Sequence, residues 1–184
     1  MTVTNKRILG IGAAVLLLAA AAVAAPGPAP DPNDTNPKMS DQVRKALVTL
    51  PYYGVFDNLE YKIDGSTITL SGQVVRPTTR SDAEHRVAKI EGVDRVVNNI
   101  EVLPLSSFDD SIRARTYRAV FRTGSLYRYA MGANPSIHIV VDNGRVTLEG
   151  VVSNKMDSQL AYMAANGVPG VFHVTNNLRV ERGT

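Results

Sequence analysis

The sequence predicts an α+β chain built from two small tandem domains. Each is an α-β-β-α-β unit, with a three-stranded mixed sheet covered on one face by two helices. Three observations carry this reading. The stretch VVNNIEV at residues 96–102 returns as VTNNLRV at residues 174–180, a displacement of 78 positions. Under the same displacement Asp64 meets Asp142, ITLSG (68–72) meets VTLEG (146–150), and Gly92-Val93 meets Gly170-Val171, with no gap between them. Within each copy the apolar period changes from two, as a half-buried strand requires, to the three-and-four spacing of an amphipathic helix. Two copies are too few for a solenoid, so they read as two domains, at residues 39–104 and 108–182.

In the first copy SDQVRKALVTL places Val43, Ala46, Leu47 and Leu50 on one helical face, and Pro51 ends the helix. LEYKID puts Leu59, Tyr61 and Ile63 in phase, Asp64-Gly65-Ser66 supplies a turn, and TITLSGQV sets Ile68, Leu70 and Val74 on the buried side. The second copy repeats the hairpin around Asn143-Gly144, two residues that tolerate positive φ. PTTRSDAEHRVAKI follows, with Pro77 in a first helical turn and Ala83, Val87 and Ile90 on one face. Its partner NKMDSQLAYMAANGV buries Leu160, Ala161, Ala164 and Ala165 and stops at Gly167. The helical crossover returns the last strand parallel to its neighbour, with right-handed sense. Alternation places Asn98 on the core side of that strand, where its amide needs partners. The Gly92-Val93 corner or the end of the helix is expected to supply them. The paired asparagines therefore read as a duplicated piece of fold. Domains of roughly 65–75 residues without disulfides are marginal, so the copies are expected to pack on each other through their uncovered sheet faces.

The I/V-T-L-x-G strands ending at Gly72 and Gly150, the Gly-Val corners at Gly92 and Gly170, and the V-x-N-N-(I/L)-x-V strands carrying Asn98 and Asn176 resemble the BON domain. The resemblance covers both copies. It implies exported proteins, often in tandem, that attach to membranes or phospholipid surfaces, maintain the envelope or act as chaperones under osmotic stress. It implies no chemistry and no cofactor.

Lys6-Arg7, the apolar run of residues 8–25 and the small-x-small site Ala22-Val23-Ala24 have the layout of a secretory signal over residues 1–24. Cleavage near Ala24 would leave a periplasmic protein; the alternative is an inner-membrane anchor formed by residues 8–25. Residues 25–38, rich in proline, read as an extended linker. The leader holds two of the 20 basic residues and none of the 17 acidic ones, leaving 18 against 17. The pI of about 9.3 is thus no sign of nucleic-acid binding. Charge is uneven, however: residues 25–104 carry 9 basic and 11 acidic side chains, residues 105–184 carry 9 and 6. The absence of cysteine leaves core packing to hold the fold.

No nucleophile-base arrangement, phosphate loop or metal-ligand spacing occurs, so the chain reads as a non-enzyme without metal or cofactor. His138 falls opposite Glu149 in the hairpin register and His173 shares their outward phase, which predicts a surface pair that raises the His138 pKa. A His/Glu/His metal site is the less favoured alternative. The most individual segment is SIRARTYRAVFRTGSLYRYAMG, read as one helix over 111–131. Arg113, Arg115, Arg118, Arg122 and Arg128, with Tyr127 and Tyr129, are its candidate contacts to anionic lipid: guanidinium groups pair phosphate bidentately and the rings sit at headgroup level. The opposing reading is a solvated face with core aromatics. The sequence therefore points to a phospholipid surface or an envelope protein as partner. A holdase-like chaperone is the alternative.

Overall fold

The computed structural model describes residues 37–132 and 134–181. The 1–24 leader and all but the last two residues of the 25–38 linker lie outside them. Helix α1 (Pro37–Val48) begins on those two linker residues and buries Met39, Val43 and Leu47. Strands β1 (Asn58–Asp64) and β2 (Thr67–Val74) form an antiparallel hairpin, and α2 (Pro77–Val87) crosses back with Thr79, Ala83 and Val87 buried. The third strand comes in two pieces, β3 (Arg95–Asn98) and β4 (Glu101–Val102), both parallel to β2.

The second domain repeats this order with α3 (Ser107–Phe121), β5 (Ile137–Asp142), β6 (Arg145–Val152), α4 (Lys155–Asn166), β7 (His173–Asn176) and β8 (Arg179–Val180). Its ladders match the first pair for pair. Ile68↔Val96, Leu70↔Asn98 and Val74↔Val102 become Val146↔Val174, Leu148↔Asn176 and Val152↔Val180. Two mixed sheets, each with a helical layer on one face, make the chain α+β with tandem domains. Each layer closes over its own core. Leu47, Leu59, Ile68 and Leu70 are fully buried in the first, Ile112, Leu126, Ile139 and Leu148 in the second. Each such side chain contributes about 1.5–3 kcal/mol of transfer free energy.

Gly72 and Gly150 show why the repeat keeps glycine. Each adopts positive φ inside its long strand (+108° and +116°). A Cβ at Gly72 would lie 2.2 Å from the Asn58 carbonyl oxygen, and one at Gly150 would lie 2.0 Å from that of Ser136. Neighbouring backbone, which cannot give way, occupies the space a side chain needs.

The break in the third strand answers the question of the paired asparagines. Asn98 Oδ1 accepts from the Ile100 amide at 3.1 Å, and Asn176 Oδ1 accepts from Leu178 at 3.2 Å. This local i→i+2 bond competes with the ladder and stops it. The following amides, Asn99 and Asn177, donate to Leu70 and Leu148 at 2.8 and 2.9 Å. Asn98 Nδ2 donates to the Arg80 carbonyl (3.1 Å), and Asn176 Nδ2 donates to that of Ser158 (3.2 Å), which is the same position 78 residues on. Each asparagine thus ends a strand and pins it to the crossover helix, within the helix rather than at its end or at the Gly-Val corner. Neither is buried as alternation predicted: Asn98 is half-buried and Asn176 exposed. Gly92 and Gly170 turn the preceding corner.

The domains meet along the free edge of β5 and over part of the outer face of its sheet, where His138 and Val140 are buried. The segment 48–57, between α1 and β1, lies along the free edge of β5. Ile139 N donates to Val55 O (2.7 Å) and Asn134 Nδ2 to Val48 O (2.9 Å). Val55 and Phe56 pack against the second core. An edge strand with unpaired amides is an aggregation liability, and here the neighbouring domain covers it. Asp57, only 4 % exposed, holds this segment in shape by accepting from Gly54 N (3.0 Å) and Val75 N (2.8 Å).

Candidate functional site

The arginine segment is not one helix. Ser106 caps α3, its Oγ accepting from Asp109 N at 3.1 Å, and Asp109 and Asp110 complement the positive helix start. α3 ends at Phe121. Gly124, with φ +52°, breaks it from a 3₁₀ helix at Gly124–Ala130.

This geometry divides the seven candidate residues. Arg113 lies on the face of Asp109, Ile112, Thr116 and Val120 and is 4 % exposed. Its guanidinium donates to Asp110 Oδ1 and to the Val141 carbonyl, each at 2.6 Å. Tyr129 is buried, accepting from Ser153 N (2.9 Å) and donating to Asp157, to which Arg128 also pairs. Burial alone would raise the Asp157 carboxyl, but the hydrogen bonds from Tyr129 and Arg128 outweigh it and hold its pKa below the usual carboxylate value. Buried Arg113 and Tyr129 tie α3 to β5 and the 3₁₀ helix to the start of α4, and Arg128, though exposed, is paired with Asp157. Arg118, Arg122 and Tyr127 remain exposed and Arg115 half-buried. None of these three arginines forms an ion pair among the described residues. Arg115 Nε donates to the Ser111 carbonyl at 3.1 Å.

Around them the second domain exposes apolar groups that the sequence reading passed over. Met156, Tyr162 and Met163 project from α4, and Met131 follows the 3₁₀ helix. Phe108 and Phe172, 47 % and 75 % exposed, stack with centroids 6.0 Å apart beside the β5–β6 turn. Helical phase could have found the methionines: Met156 and Met163 sit at i, i+7, opposite Ala161 and Ala165, which are buried. The Phe108–Phe172 pair is brought together by tertiary packing and had no such signal.

The proposed histidine pair is half present. His138 and Glu149 are cross-strand partners in the predicted register. The β5 face, however, is covered by the first domain, leaving His138 5 % exposed. Its Nδ1 lies 3.2 Å from the Gly54 carbonyl and so carries the proton. Tyr53 stacks on the ring at 5.3 Å, with its hydroxyl 3.4 Å from Nε2. Burial therefore lowers the His138 pKa, against the predicted rise. Glu149 turns instead to Asn177 Nδ2 at 2.6 Å. Burial raises its carboxyl pKa, and the Glu60 charge adds to the rise. His173 is exposed on β7. Among the described residues, no three His, Asp or Glu are placed to hold a metal.

Two concavities lie between the domains. One, of about 350 Å³, is polar, with Gln73 and Glu101 facing Thr147, Glu149, Thr175 and Asn177. The other, of about 420 Å³ and open to solvent, lies between the 48–57 segment and α3 and is lined by Val55, Phe56, Ala114, Tyr117 and Arg118. Among the described residues no helix is long and apolar enough to cross a membrane.

This tandem α+β chain presents exposed arginines, aromatic rings and methionines on its second domain. The BON domain profile matches it twice, at residues 39–104 and 109–182, and the chain belongs to the BON-domain family. No curated protein gives a match to the sequence. Among solved structures, CdsD, a structural protein of the Type III secretion system of Chlamydia trachomatis, aligns at 10 % identity over 79 % of this chain and 93 % of its own, with TM-score 0.33. The C-terminal domain of CdsD aligns at 10 % identity over 81 % of this chain and 100 % of its own, with TM-score 0.29. Superpositions at that level bear no weight on fold or function.

Proposed function

We propose that this is a non-catalytic, exported envelope protein whose second domain docks on anionic phospholipid surfaces. One observation supports the reading above the others. Arg115, Arg118 and Arg122, free of ion pairs among the described residues, share the helical layer of the second domain with exposed Tyr127, Met156 and Met163. Guanidinium groups recognise phosphate, and the apolar tips enter the headgroup boundary. The leader read over residues 1–24 places the protein in the periplasm under this proposal. Co-sedimentation with vesicles of phosphatidylglycerol and phosphatidylcholine tests it. Arg115→Gln, Arg118→Gln and Arg122→Gln together are expected to weaken binding by roughly a hundredfold, since each basic residue near such a surface contributes on the order of 1 kcal/mol. Added salt should weaken wild-type binding. Binding that is indifferent to salt and to the triple change contradicts the proposal.

The exposed methionines favour a second reading, a holdase, because flexible thioethers adapt to varied apolar partners. Suppression of aggregation of a heated client, lost in Met156→Ser/Met163→Ser and kept in the arginine triple, would select it.

A further inference from the structure

The open concavity between the domains has the shape and chemistry of a site for one amphiphile. Its walls are apolar and come from both domains: Val55 and Phe56 from the first, Ala114 and Tyr117 from α3. The aromatic side is built. Phe56 meets Tyr117 edge-on at 6.2 Å, and Tyr117 meets Phe121 at 4.8 Å, so the rings are braced from the second core outwards. The first-domain wall is fixed as well, through the Ile139–Val55 hydrogen bond (2.7 Å) and the Asp57 carboxylate beneath it. Arg118 is the charged residue in its lining, with Arg115 on the same helix and Arg122 at the C-cap of that helix. At about 420 Å³ it falls within the range of small-molecule sites. The concavity on the helical layer of the first domain, lined by Gln42, Lys45, Ala46, Thr49, Arg86 and Lys89, has no aromatic side chain in its wall.

We infer that this interdomain concavity binds a single acyl chain, with the anionic headgroup of that chain on Arg118. The inference rests on the reading of α3 as the lipid-facing helix and deepens it: a surface that touches headgroups would also hold one chain drawn out of the bilayer, between the domains.

The probe is dodecanoate below its micelle concentration, titrated into the full chain by calorimetry. Hexanoate serves as the short-chain control and dodecyltrimethylammonium as the cationic one. Saturable one-to-one binding of dodecanoate is expected, with neither control binding comparably. Ala114→Trp fills the concavity from an exposed helical position and is expected to weaken dodecanoate at least about tenfold, the equivalent of unburying roughly two methylenes. Arg118→Gln should weaken dodecanoate and narrow its margin over the cationic control. A thermal melt of each variant confirms folding. Binding unchanged in Ala114→Trp, or equal affinity for the cationic control, overturns the inference. Vesicle binding without dodecanoate binding overturns the site and leaves the docking surface standing. Dodecanoate binding without vesicle binding does the reverse.

Discussion

The two domains share a backbone plan position by position and share almost nothing on their surfaces. Both break the third strand at an Asn pair, both carry a positive-φ glycine against a neighbouring carbonyl, and both close a core of aliphatic and aromatic side chains. Yet Phe108, Tyr117, Tyr127, Met131, Met156, Tyr162, Met163 and Phe172 are all exposed in the second domain, while in the first only Tyr52 is a comparably exposed large apolar group among the described residues. The exposed helical side chains of the first include Lys38, Gln42, Lys45, Glu84 and Arg86. Duplication kept what folding demands and released what it does not. The residues that differ are therefore where a function peculiar to one copy would lie.

The largest expected effect tests the shared half of this comparison. Gly72→Ala and Gly150→Ala should each cost about 3 kcal/mol or more, because a Cβ meets backbone in both. Urea unfolding of the two variants should show comparable losses. A tolerated change at either site would mean that the copies are not held by the same constraint.

Arg113 and Arg118 separate structure from surface within one helix. Arg113→Gln should destabilise the second domain by about 1–3 kcal/mol, since the guanidinium is buried on the Val141 carbonyl, and leave vesicle binding of the folded protein unchanged. Arg118→Gln should do the opposite. A stability loss at Arg118, or a binding loss at Arg113, would reverse the assignment.

The asparagines come next. Asn98→Ala and Asn176→Ala each remove a strand-ending bond and a pin to the crossover helix. Exposure limits the cost to about 1 kcal/mol at Asn176, with a slightly larger loss at half-buried Asn98.

The interdomain edge should respond to pH. The folded His138 pKa lies below its unfolded value of 6.5, so the unfolded chain takes the proton first. The contribution of His138 to stability is complete above that value and declines as pH falls below it towards the folded pKa. Buried Asp57 and half-buried Glu149, both raised, act in the opposite sense: as pH falls through their folded values, protonation favours the fold. A loss of stability between neutrality and the carboxylate range that disappears in His138→Phe is the expected signature. An unchanged slope would mean that the histidine is not sealed between the domains.

Most of the fold was legible because a duplicated sequence states its own boundaries and periods. What escaped came from bonds that periodicity does not encode. Strict alternation carried the third strand through Asn98, where a side-chain bond two residues ahead ends it. His138 obeyed alternation and faced outward from its own sheet, yet the covering segment belongs to the other domain, about 85 residues earlier in the chain. In the candidate site the error was of another kind. Arg113 shares the phase of Ile112, Thr116 and Val120, so its burial is readable from helical phase, whereas a run of basic residues suggests one surface.

The comparison between domains is tested most directly by removing equal charge from each. Vesicle co-sedimentation on phosphatidylglycerol would compare Arg115→Gln/Arg118→Gln/Arg122→Gln in the second domain with Lys38→Gln/Lys45→Gln/Lys89→Gln in the first. Loss of binding in the second-domain variant alone, by roughly a hundredfold, is the predicted result. Equal losses in both would show that net charge, and not the divergent surface of the second copy, holds the protein to the membrane.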